Sequence, residues 1–313
     1  MNIFVLCATN RGRRFLARLF ALCPTDDFFV FSFPEESWEP QYLDDIRRLA
    51  TNHGAAFFET RNVAHERFNS VWSTVPVDLI FVISWRYLIP ITLAEKSRLG
   101  CIVFHDSLLP RYRGFAPTVW AMINGEKQTG VTMFHLAERM DAGDIIDQVA
   151  APIAPDDSIG EVTDRVTETY LHLLEKNLPL IKTGRGPRNP QDHFLATYTC
   201  KRMPEDNEID WSAPTETIHN LIRAVTRPYP GAFTWYNSRK LTIWSASPLR
   251  DNLRYVGRIP GRVGEIRRGE GIVVLTGDGR LLIKSVQMEG EREKHADELI
   301  TSITSQLGGW SNE

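Results

Sequence analysis

Short apolar runs alternate with helical patterns through the first third of the chain, and no other feature limits its possible folds as much. Apolar runs bounded by polar or turn-forming residues are typical of strands buried on both faces of a sheet. These runs lie at residues 2–7, 28–33, 55–59, 78–84 and 100–104. Because strands separated by helices pair in parallel through right-handed crossovers, the pattern predicts an α/β fold with a mainly parallel sheet.

This order of elements is Rossmann-like, but the turn after the first strand does not carry the matching dinucleotide motif. Residues 8–12 contain one glycine, Gly12, where that motif needs three, so an NAD-binding function has little support. A long helix is predicted over residues 157–177, ending before Pro179, and it closes the first domain.

The pattern changes after a segment rich in Gly, Pro and Arg at residues 182–190. A helix is expected at 215–227, followed by short strands at 232–235, 241–245, 261–266, 271–276 and 280–287, with a hairpin turn at 277–279. These elements predict a small, OB-like β-barrel. The expected organisation is a Rossmann-like catalytic domain at 1–182, a linker and substrate-side segment at 183–210, and the barrel at 211–313.

Length and composition agree with a two-domain globular enzyme. A chain of 313 residues exceeds what one hydrophobic core usually organises. No apolar run approaches the roughly 20 residues needed to span a bilayer, and the first residues already show a strand pattern, so a cytoplasmic protein without a membrane partner is expected. The four cysteines are few and widely spaced, which argues against a disulfide framework and against a metal site.

A histidine and a carboxylate follow two neighbouring predicted strands. His105 closes the run at 100–104, and Asp141 lies in an acidic, glycine-containing loop after a run at 131–136. Ligands of open α/β sheets bind at the carboxyl ends of the strands, and an imidazole there exchanges protons near neutral pH. A carboxylate beside it would fix its tautomer and favour its charged form. Either residue alone is more often structural, but their joint placement predicts an acid/base site.

Three motifs around these residues resemble one enzyme family. Residues 105–110 (HDSLLP), 129–132 (TGVT) and 141–144 (DAGD) are similar to the signature of formyltransferases that use 10-formyltetrahydrofolate. Residues 85–90 resemble the folate loop of that family, and residues 219–225 resemble the start of its second domain. That stretch, continued by residues 227–233, is similar both to members that formylate nucleotide-linked amino sugars and to the members that act on tRNA. The resemblance covers nearly the whole chain, and it implies a formyl-transferring enzyme with a folate co-substrate and no metal.

One position departs from the family pattern. The family carries asparagine two residues before the histidine, where this chain has Val103. Residues i and i+2 of a strand point to the same face, so Val103 is expected to face the same space as His105. The family asparagine is understood to hold the formyl oxygen as it becomes negative, and loss of one such donor costs about 2.7–4 kcal/mol. Protonated His105, the Ser107 hydroxyl and a backbone N–H of the following loop are the candidate replacements.

Two sets of ligand-binding residues are expected. Several side chains have the charge or aromatic character to bind an acceptor that contains a phosphate and a base. Each of them could instead be a solvated surface residue. Those acceptor-side residues are Ser107, Arg111, Arg113, Tyr198, Lys201 and Arg202. The folate residues implied by the resemblance are Arg86, Tyr87, Leu88, Glu138 and Asp144.

The expected activity is transfer of a formyl group to a small-molecule amine, with His105 moving the proton and Asp141 supporting its charged form. A nucleotide-linked amino sugar is the favoured acceptor, because the chain has a net charge of −3 and residues 200–313 hold sixteen basic against fifteen acidic side chains. A tRNA-binding protein is expected to show a basic face, so nucleic acid is disfavoured. Initiator methionyl-tRNA remains the alternative acceptor. A catalytically silent folate or sugar-nucleotide binder, a formyl-folate hydrolase and a homo-oligomeric state also stay open.

Overall fold

The structure is a computed structural model that describes residues 1–309. The chain forms two compact units, each built from segments that are not contiguous in sequence. The first contains residues 1–117, 128–152 and 163–200, and the second contains residues 118–127, 153–162 and the chain from residue 201 onward. Residues 183–200, which were expected to link the domains, group with the first unit.

A seven-stranded sheet forms the centre of the first unit, and a separate pair of two-residue strands accompanies it. The strands of this unit are β1 (Asn2–Cys7), β2 (Asp27–Ser32), β3 (Ala56–Glu59), β4 (Leu79–Ile83), β5 (Cys101–His105), β6 (Arg113–Gly114), β7 (Gln128–His135), β8 (Ile145–Pro152) and β9 (Tyr198–Thr199). The order in the large sheet is β3-β2-β1-β4-β5-β7-β8. Strands β1 to β5 pair in parallel, and β7 pairs antiparallel with both β5 and β8.

The sheet confirms the predicted mainly parallel α/β architecture. The helices between its strands and after them are α1 (Thr9–Leu22), α2 (Leu43–Asn52), α3 (Asn69–Thr74), α4 (Ile91–Ala94), α5 (Pro117–Ile123) and α6 (Ile159–Lys182). Strand β8 was not predicted, because its half-buried, polar-interrupted pattern at the sheet edge lacks the continuous apolar run of the other strands. No helix within residues 1–309 combines the length and the apolar character needed to cross a membrane.

Aromatic side chains pack on both faces of the sheet and hold the strands that carry the candidate site. On one face, the rings of Phe4 and Phe29 stack with their centroids 4.7 Å apart. On the other, Phe15 of α1 packs edge-on against Phe104 of β5 at 5.0 Å. Fully burying one such side chain contributes roughly 1.5–3 kcal/mol. The backbone immediately before His105 is therefore fixed by core packing.

Helix α6 continues past the proline at which it was predicted to end. It runs to Lys182, with Pro179 inside it. Proline removes a helical hydrogen bond, but here its side chain is exposed while Leu178 and Ile181 are buried on the core face. Burial of those two apolar side chains offsets the lost bond, so the prediction of a helix end before Pro179 was wrong.

An antiparallel sheet forms the centre of the second unit, which confirms the predicted C-terminal β domain. Its strands are β10 (Ala232–Tyr236), β11 (Arg239–Pro248), β12 (Val263–Arg267), β13 (Gly271–Leu275), β14 (Arg280–Met288) and β15 (Lys294–His295). The order is β10-β11-β14-β13-β12, and β15 pairs with β14. Helix α7 (Thr215–Val225) packs on β11, and the short α8 (Ala296–Leu299) follows β15.

The hairpin turn between β13 and β14 also caps α7, and this contact gives a stability prediction. The Asp278 carboxylate accepts hydrogen bonds from the N–H and the hydroxyl of Thr215, both at 2.8 Å. These bonds hold the pKa of Asp278 below its usual value. Asp278→Ala is expected to lower the free energy of unfolding of this unit by about 1 kcal/mol, the usual value of a helix cap.

The pH dependence of this cap follows from the lowered pKa. The carboxylate's contribution is fully present above the ordinary carboxyl pKa of about 4 and is lost as the pH falls through the lower folded value. Chemical denaturation at pH 7 and at acidic pH would measure this. A difference between wild type and Asp278→Ala that stays the same at both pH values would contradict the assignment.

Candidate active site

His105 is the last residue of β5, at the carboxyl end of the parallel strands. His105 is 8% exposed, and its Nε2 atom lies 2.7 Å from the carbonyl oxygen of Tyr112. A carbonyl oxygen can only accept a hydrogen bond, so Nε2 carries the proton. In the neutral ring, the lone pair is therefore on Nδ1, the atom that can take up a proton.

The Nδ1 atom of His105 faces the carboxylate of Asp141, whose Oδ2 atom lies 3.8 Å away. The same oxygen accepts a hydrogen bond of 2.8 Å from the N–H of Gly114. The structure therefore brings together the histidine and the carboxylate that the sequence singled out. The expectation that Asp141 fixes the tautomer was wrong, because the Tyr112 carbonyl does so and 3.8 Å is too long for a hydrogen bond.

The loop that carries Asp141 connects β7 to β8, and Gln191 holds its shape. The Nε2 atom of Gln191 donates to the carbonyl oxygens of Asp141 and Gly143, at 2.9 and 2.8 Å. A Cβ atom at Gly143 would lie 1.7 Å from the carbonyl oxygen of His135, so only glycine permits this close approach. Gln191 thus ties the carboxylate loop to the segment after α6.

A partly buried ion pair anchors Asp106, the residue that follows His105. Nη1 of Arg11, in α1, lies 2.5 Å from Oδ2 of Asp106, and the hydroxyl of Tyr170, in α6, donates to the other carboxylate oxygen. Burial and the Asp106 charge hold the pKa of Tyr170 well above its usual value, so Tyr170 remains a donor. These contacts connect the first turn of α1 and the middle of α6 to the backbone at His105.

Val103 lies two residues before His105 on the same face of β5, opposite Phe134 of β7. It is partly buried and packs against the apolar cluster that also contacts Trp85 and Leu136. Its side chain has no hydrogen-bond donor.

Most of the donors proposed to replace the family asparagine are already engaged. The Ser107 hydroxyl is buried and donates to the carbonyl oxygen of Arg111 at 2.7 Å. The N–H groups of Leu109 and of residues 111–115 donate to partners within the first unit. In contrast to these groups, the imidazole of His105 in its protonated form keeps a donor, on Nδ1.

The segment expected to contact folate begins at the carboxyl end of β4. Arg86 forms a two-pronged ion pair with Glu39, at 2.6 and 2.8 Å, and the ring of Tyr87 packs edge-on against Phe33. Leu88 is 85% exposed. On the Asp141 loop, Glu138 is exposed and Asp144 lies 3.8 Å from Arg188.

Two buried polar atoms beside this segment have no partner among the described residues. They are the hydroxyl of Ser84 and Nε1 of Trp85. A buried donor without a partner is unfavourable, and a ligand with acceptor atoms would satisfy both. The residues at the end of β4 therefore fit a ligand with hydrogen-bond acceptors.

The expected acceptor residues of the first unit differ in their environment. Arg113 is 2% exposed, and its Nη2 atom contacts Gln191 at 2.6 Å and His193 at 2.9 Å. These contacts make Arg113 part of the scaffold behind the Asp141 loop. Arg111 is exposed, and Tyr198 is 65% exposed, with its hydroxyl 3.2 Å from Nη1 of Arg113.

Lys201 and Arg202 belong to the second unit. Lys201 is exposed. Arg202 lies over the ring of Trp120 at 4.8 Å and donates to the side chain of Asn207 at 2.9 Å. Arg202 is thus engaged with its own unit.

Sequence reasoning missed several residues that shape the site. They are Arg11, Tyr112, Gly114, Tyr170 and Gln191. Tyr112 and Gly114 act through backbone atoms, which leave no side-chain signal in a sequence. The role of Asp106 could have been predicted from the sequence, because a charged side chain directly after a buried strand needs a partner.

Comparison with known proteins identifies the family. Residues 27–177 match the formyl transferase family model, and residues 201–304 match that of the formyl transferase C-terminal domain. A methionyl-tRNA formyltransferase of Moorella thermoacetica is 44% identical over 215 residues, covering 69% of this chain and 68% of that protein. One of Syntrophus aciditrophicus is 33% identical over 257 residues, covering 82% and 80%.

A solved structure shows the same fold. The N-formyltransferase from Helicobacter canadensis, in complex with folinic acid and dTDP-3-aminofucose, superposes with a TM-score of 0.64 at 17% identity, over 91% of this chain and 98% of that one. The superposition covers both the α/β sheet and the antiparallel domain. The chain belongs to the formyl transferase family and is a formyltransferase, which confirms the resemblance inferred from its motifs.

Proposed function

We propose that this protein transfers the formyl group of 10-formyltetrahydrofolate to the amine of a nucleotide-linked sugar. The observation that best supports formyl transfer is the fixed tautomer of His105. Its Nδ1 atom has the lone pair and faces Asp141. Acyl transfer to an amine requires a group that takes a proton from the attacking nitrogen and returns one to the leaving nitrogen. In this proposal, Nδ1 of His105 at the end of β5 does both.

In the proposed reaction, His105 first accepts a proton from the amine and later returns one to the leaving nitrogen. The formyl group is supplied by 10-formyltetrahydrofolate when it is bound. Nδ1 of His105 takes the proton that the attacking amine loses, and the negative carboxylate of Asp141 stabilises the resulting imidazolium. The Tyr112 carbonyl keeps the ring in place while its charge changes.

The same imidazolium supplies the donor that Val103 lacks. Once Nδ1 has taken the amine proton, its N–H can donate to the negative formyl oxygen of the tetrahedral intermediate, whereas the Ser107 hydroxyl and the N–H groups of Tyr112 and Gly114 already have partners. One charged donor then serves both as the stabilising group and as the acid that protonates the leaving nitrogen. Loss of His105 should therefore lower the rate more in this enzyme than in one that also has the asparagine.

For the folate, we propose contacts with the segment 84–88 and with the loop that carries Asp141. The unpartnered Ser84 hydroxyl and Trp85 Nε1 support a ring with acceptor atoms at this place. Arg86, Tyr87, Leu88, Glu138 and Asp144 remain the proposed folate-binding residues. The ion pair with Glu39 would fix the Arg86 guanidinium as part of the wall.

Charge near the site favours a small acceptor over a nucleic acid. Residues 34–45 contain five acidic and no basic side chains, and one of them, Glu39, contacts the folate segment through Arg86. Such a segment repels a polyanion. Tyr198 presents an exposed ring on the strand paired with Gly114, whose N–H binds Asp141, and such a ring suits stacking with a nucleotide base.

Methionyl-tRNA is the second candidate acceptor. The relatives at 44% and 33% identity are methionyl-tRNA formyltransferases. In the second unit, residues 250–268 hold six arginines and two acids, a local excess that the balanced total conceals. An arginine-rich loop suits phosphate contacts along a nucleic acid.

A panel of acceptors separates these functions. The protein would be incubated with 10-formyltetrahydrofolate and either dTDP-linked or UDP-linked amino sugars, methionyl-tRNA or no amine. Tetrahydrofolate release is followed by absorbance, and products are identified by mass spectrometry. Formylated sugar nucleotide supports the proposal, and formyl-methionyl-tRNA would replace it. Formate without an amine would indicate a hydrolase, and no turnover would indicate a silent binder.

Two variants give a matched test of the acceptor. If a nucleotide base stacks on Tyr198, Tyr198→Ala should raise the acceptor KM by about tenfold, since one aromatic stack contributes roughly 1–3 kcal/mol. Arg254→Gln, an exposed change in the arginine-rich loop, should leave the KM unchanged. Steady-state kinetics measures both. The reverse outcome, with only Arg254→Gln weakening binding, would favour methionyl-tRNA.

Asp141→Asn should lower kcat by about 10- to 100-fold and leave the acceptor KM nearly unchanged. Asparagine keeps an oxygen that can accept from Gly114 N–H but removes the charge that stabilises the imidazolium. Steady-state kinetics, with thermal unfolding to check the fold, would measure this. A rise in KM as large as the fall in kcat would assign Asp141 to acceptor binding instead.

A further inference from the structure

A cavity of about 330 Å³ lies in the first unit at the amino end of β5, far along the strand from His105. Its walls come from the start of β5, the end of β7 and the segment after α6. They include the polar side chains of Arg98, His135 and Arg188 and the apolar side chains of Ile91, Leu99 and Ile181. None of these residues takes part in the proposed formyl transfer.

His135 is the unusual member of this wall. It is 7% exposed, and among the described residues neither ring nitrogen has a partner in hydrogen-bond geometry. Burial, followed by the positive charge of Arg188, lowers its pKa, although the nearby carbonyl of Pro187 opposes this. The ring is therefore neutral at pH 7, and its polar atoms lack partners in a place where most buried polar groups have them.

The backbone approaches the His135 ring closely at Gly100. A Cβ atom at Gly100 would lie 3.3 Å from Nδ1 of His135, which is a tight contact. Gly100 has a φ of 106°, a conformation that other residues rarely adopt. Glycine thus permits the imidazole to lie against the backbone just before β5.

Arg188 is the charged group of this wall that suits an anion. Its Nη1 atom lies 3.8 Å from Asp144, too far for a hydrogen bond, and its side chain is 59% exposed. Arg98 is bound to Asp78 at 2.8 and 2.9 Å. Glu95 also lines the cavity, so Arg188 is the guanidinium there with donors available to a ligand.

We propose that this cavity binds a small anion, a carboxylate or phosphate group, between the guanidinium of Arg188 and the imidazole of His135. A guanidinium beside an imidazole N–H offers converging donors that match the oxygens of such a group. The apolar side chains would contact the rest of the ligand. The bound anion would give His135 a partner in good hydrogen-bond geometry, which residues 1–309 do not provide.

The location connects this site to the catalytic loop. The N–H of His135 donates to the carbonyl oxygen of Asp144 at 2.9 Å, and Nη1 of Arg188 lies 3.8 Å from the Asp144 carboxylate. Both ligand-binding groups therefore touch the end of the loop that carries Asp141. The site itself is independent of formyl transfer, so its test does not use enzyme activity.

Calorimetric titration of the whole protein with inorganic phosphate, and separately with benzoate, tests the proposal. One anion per chain is expected, with Kd raised by about tenfold or more in Arg188→Met and in His135→Phe. Arg185→Met is the matched control, because Arg185 lies three residues away and donates to Thr183 outside the cavity wall. Binding that is absent, or equal in wild type and Arg188→Met, would overturn the site.

A second measurement needs no variant. The His135 ring protons can be titrated by NMR with and without phosphate. A bound anion favours the imidazolium, so the pKa of His135 should rise when phosphate is added. An unchanged His135 titration at a phosphate concentration that saturates the calorimetric signal would place the anion elsewhere and overturn the proposal.

Discussion

Replacing His105 with alanine is expected to lower kcat by about 100-fold or more, the usual scale for loss of a general acid/base. The loss should be larger than in an enzyme with a separate oxyanion donor, because here the imidazolium is proposed to supply that donor too. The fold should remain, since Phe104 rather than His105 fills the core beside α1. Single-turnover kinetics with saturating 10-formyltetrahydrofolate measures the rate of the chemical step.

His172→Ala is the matched control for this experiment. His172 is exposed on α6, so its replacement removes an imidazole from the surface and should leave kcat unchanged. A His105→Ala enzyme that turns over like wild type would remove the proposed chemistry. A variant that loses activity together with its thermal transition would be replaced by His105→Gln, whose amide nearly matches the ring in size but cannot carry the proton.

Val103→Asn is expected to raise the rate of formyl transfer by about tenfold or more, equivalent to about 1.4 kcal/mol of barrier. The amide would add a donor on the face of β5 that His105 occupies, where one oxyanion donor is worth about 2.7–4 kcal/mol. The gain is smaller than that value because the imidazolium already donates, and because an amide without partners costs about 1–3 kcal/mol.

Val103→Ala separates the donor from the loss of the valine side chain. It removes the same methyl groups without adding a polar atom, so it should not raise the rate. Kinetics of both variants beside wild type, with thermal unfolding to check stability, measures the effect. A stable Val103→Asn variant with no gain would mean that the oxyanion site is already complete.

The fold was predictable because its signals are local. The first five strands are continuous apolar runs, and the structure places each within one or two residues of its predicted bounds. Strand β8 was not predicted because an edge strand needs no such run. Helix α6 continues beyond Pro179 because Leu178 and Ile181 are buried there. Both misses are cases in which tertiary packing outweighed a local rule.

The candidate site was predictable only in part. The strand-end position of His105 and the glycine-containing loop of Asp141 are visible in the sequence, and the structure brings the two side chains together. The Tyr112 carbonyl and the Gly114 N–H were not predictable, because backbone contacts depend on how a loop folds. Arg113 has the residue type of a phosphate binder, but its burial beside Gln191 is decided by residues far away in sequence.

We propose that formyl leaves 10-formyltetrahydrofolate for an amine with His105 as the proton carrier. Mass spectrometry of the acceptor after incubation with 10-formyltetrahydrofolate carrying a ¹³C-labelled formyl group tests this mechanism. A labelled N-formyl product is expected from an amino-sugar nucleotide with wild type, and its near absence with His105→Ala. Label found only as free formate, or equal product from both proteins, would contradict the mechanism.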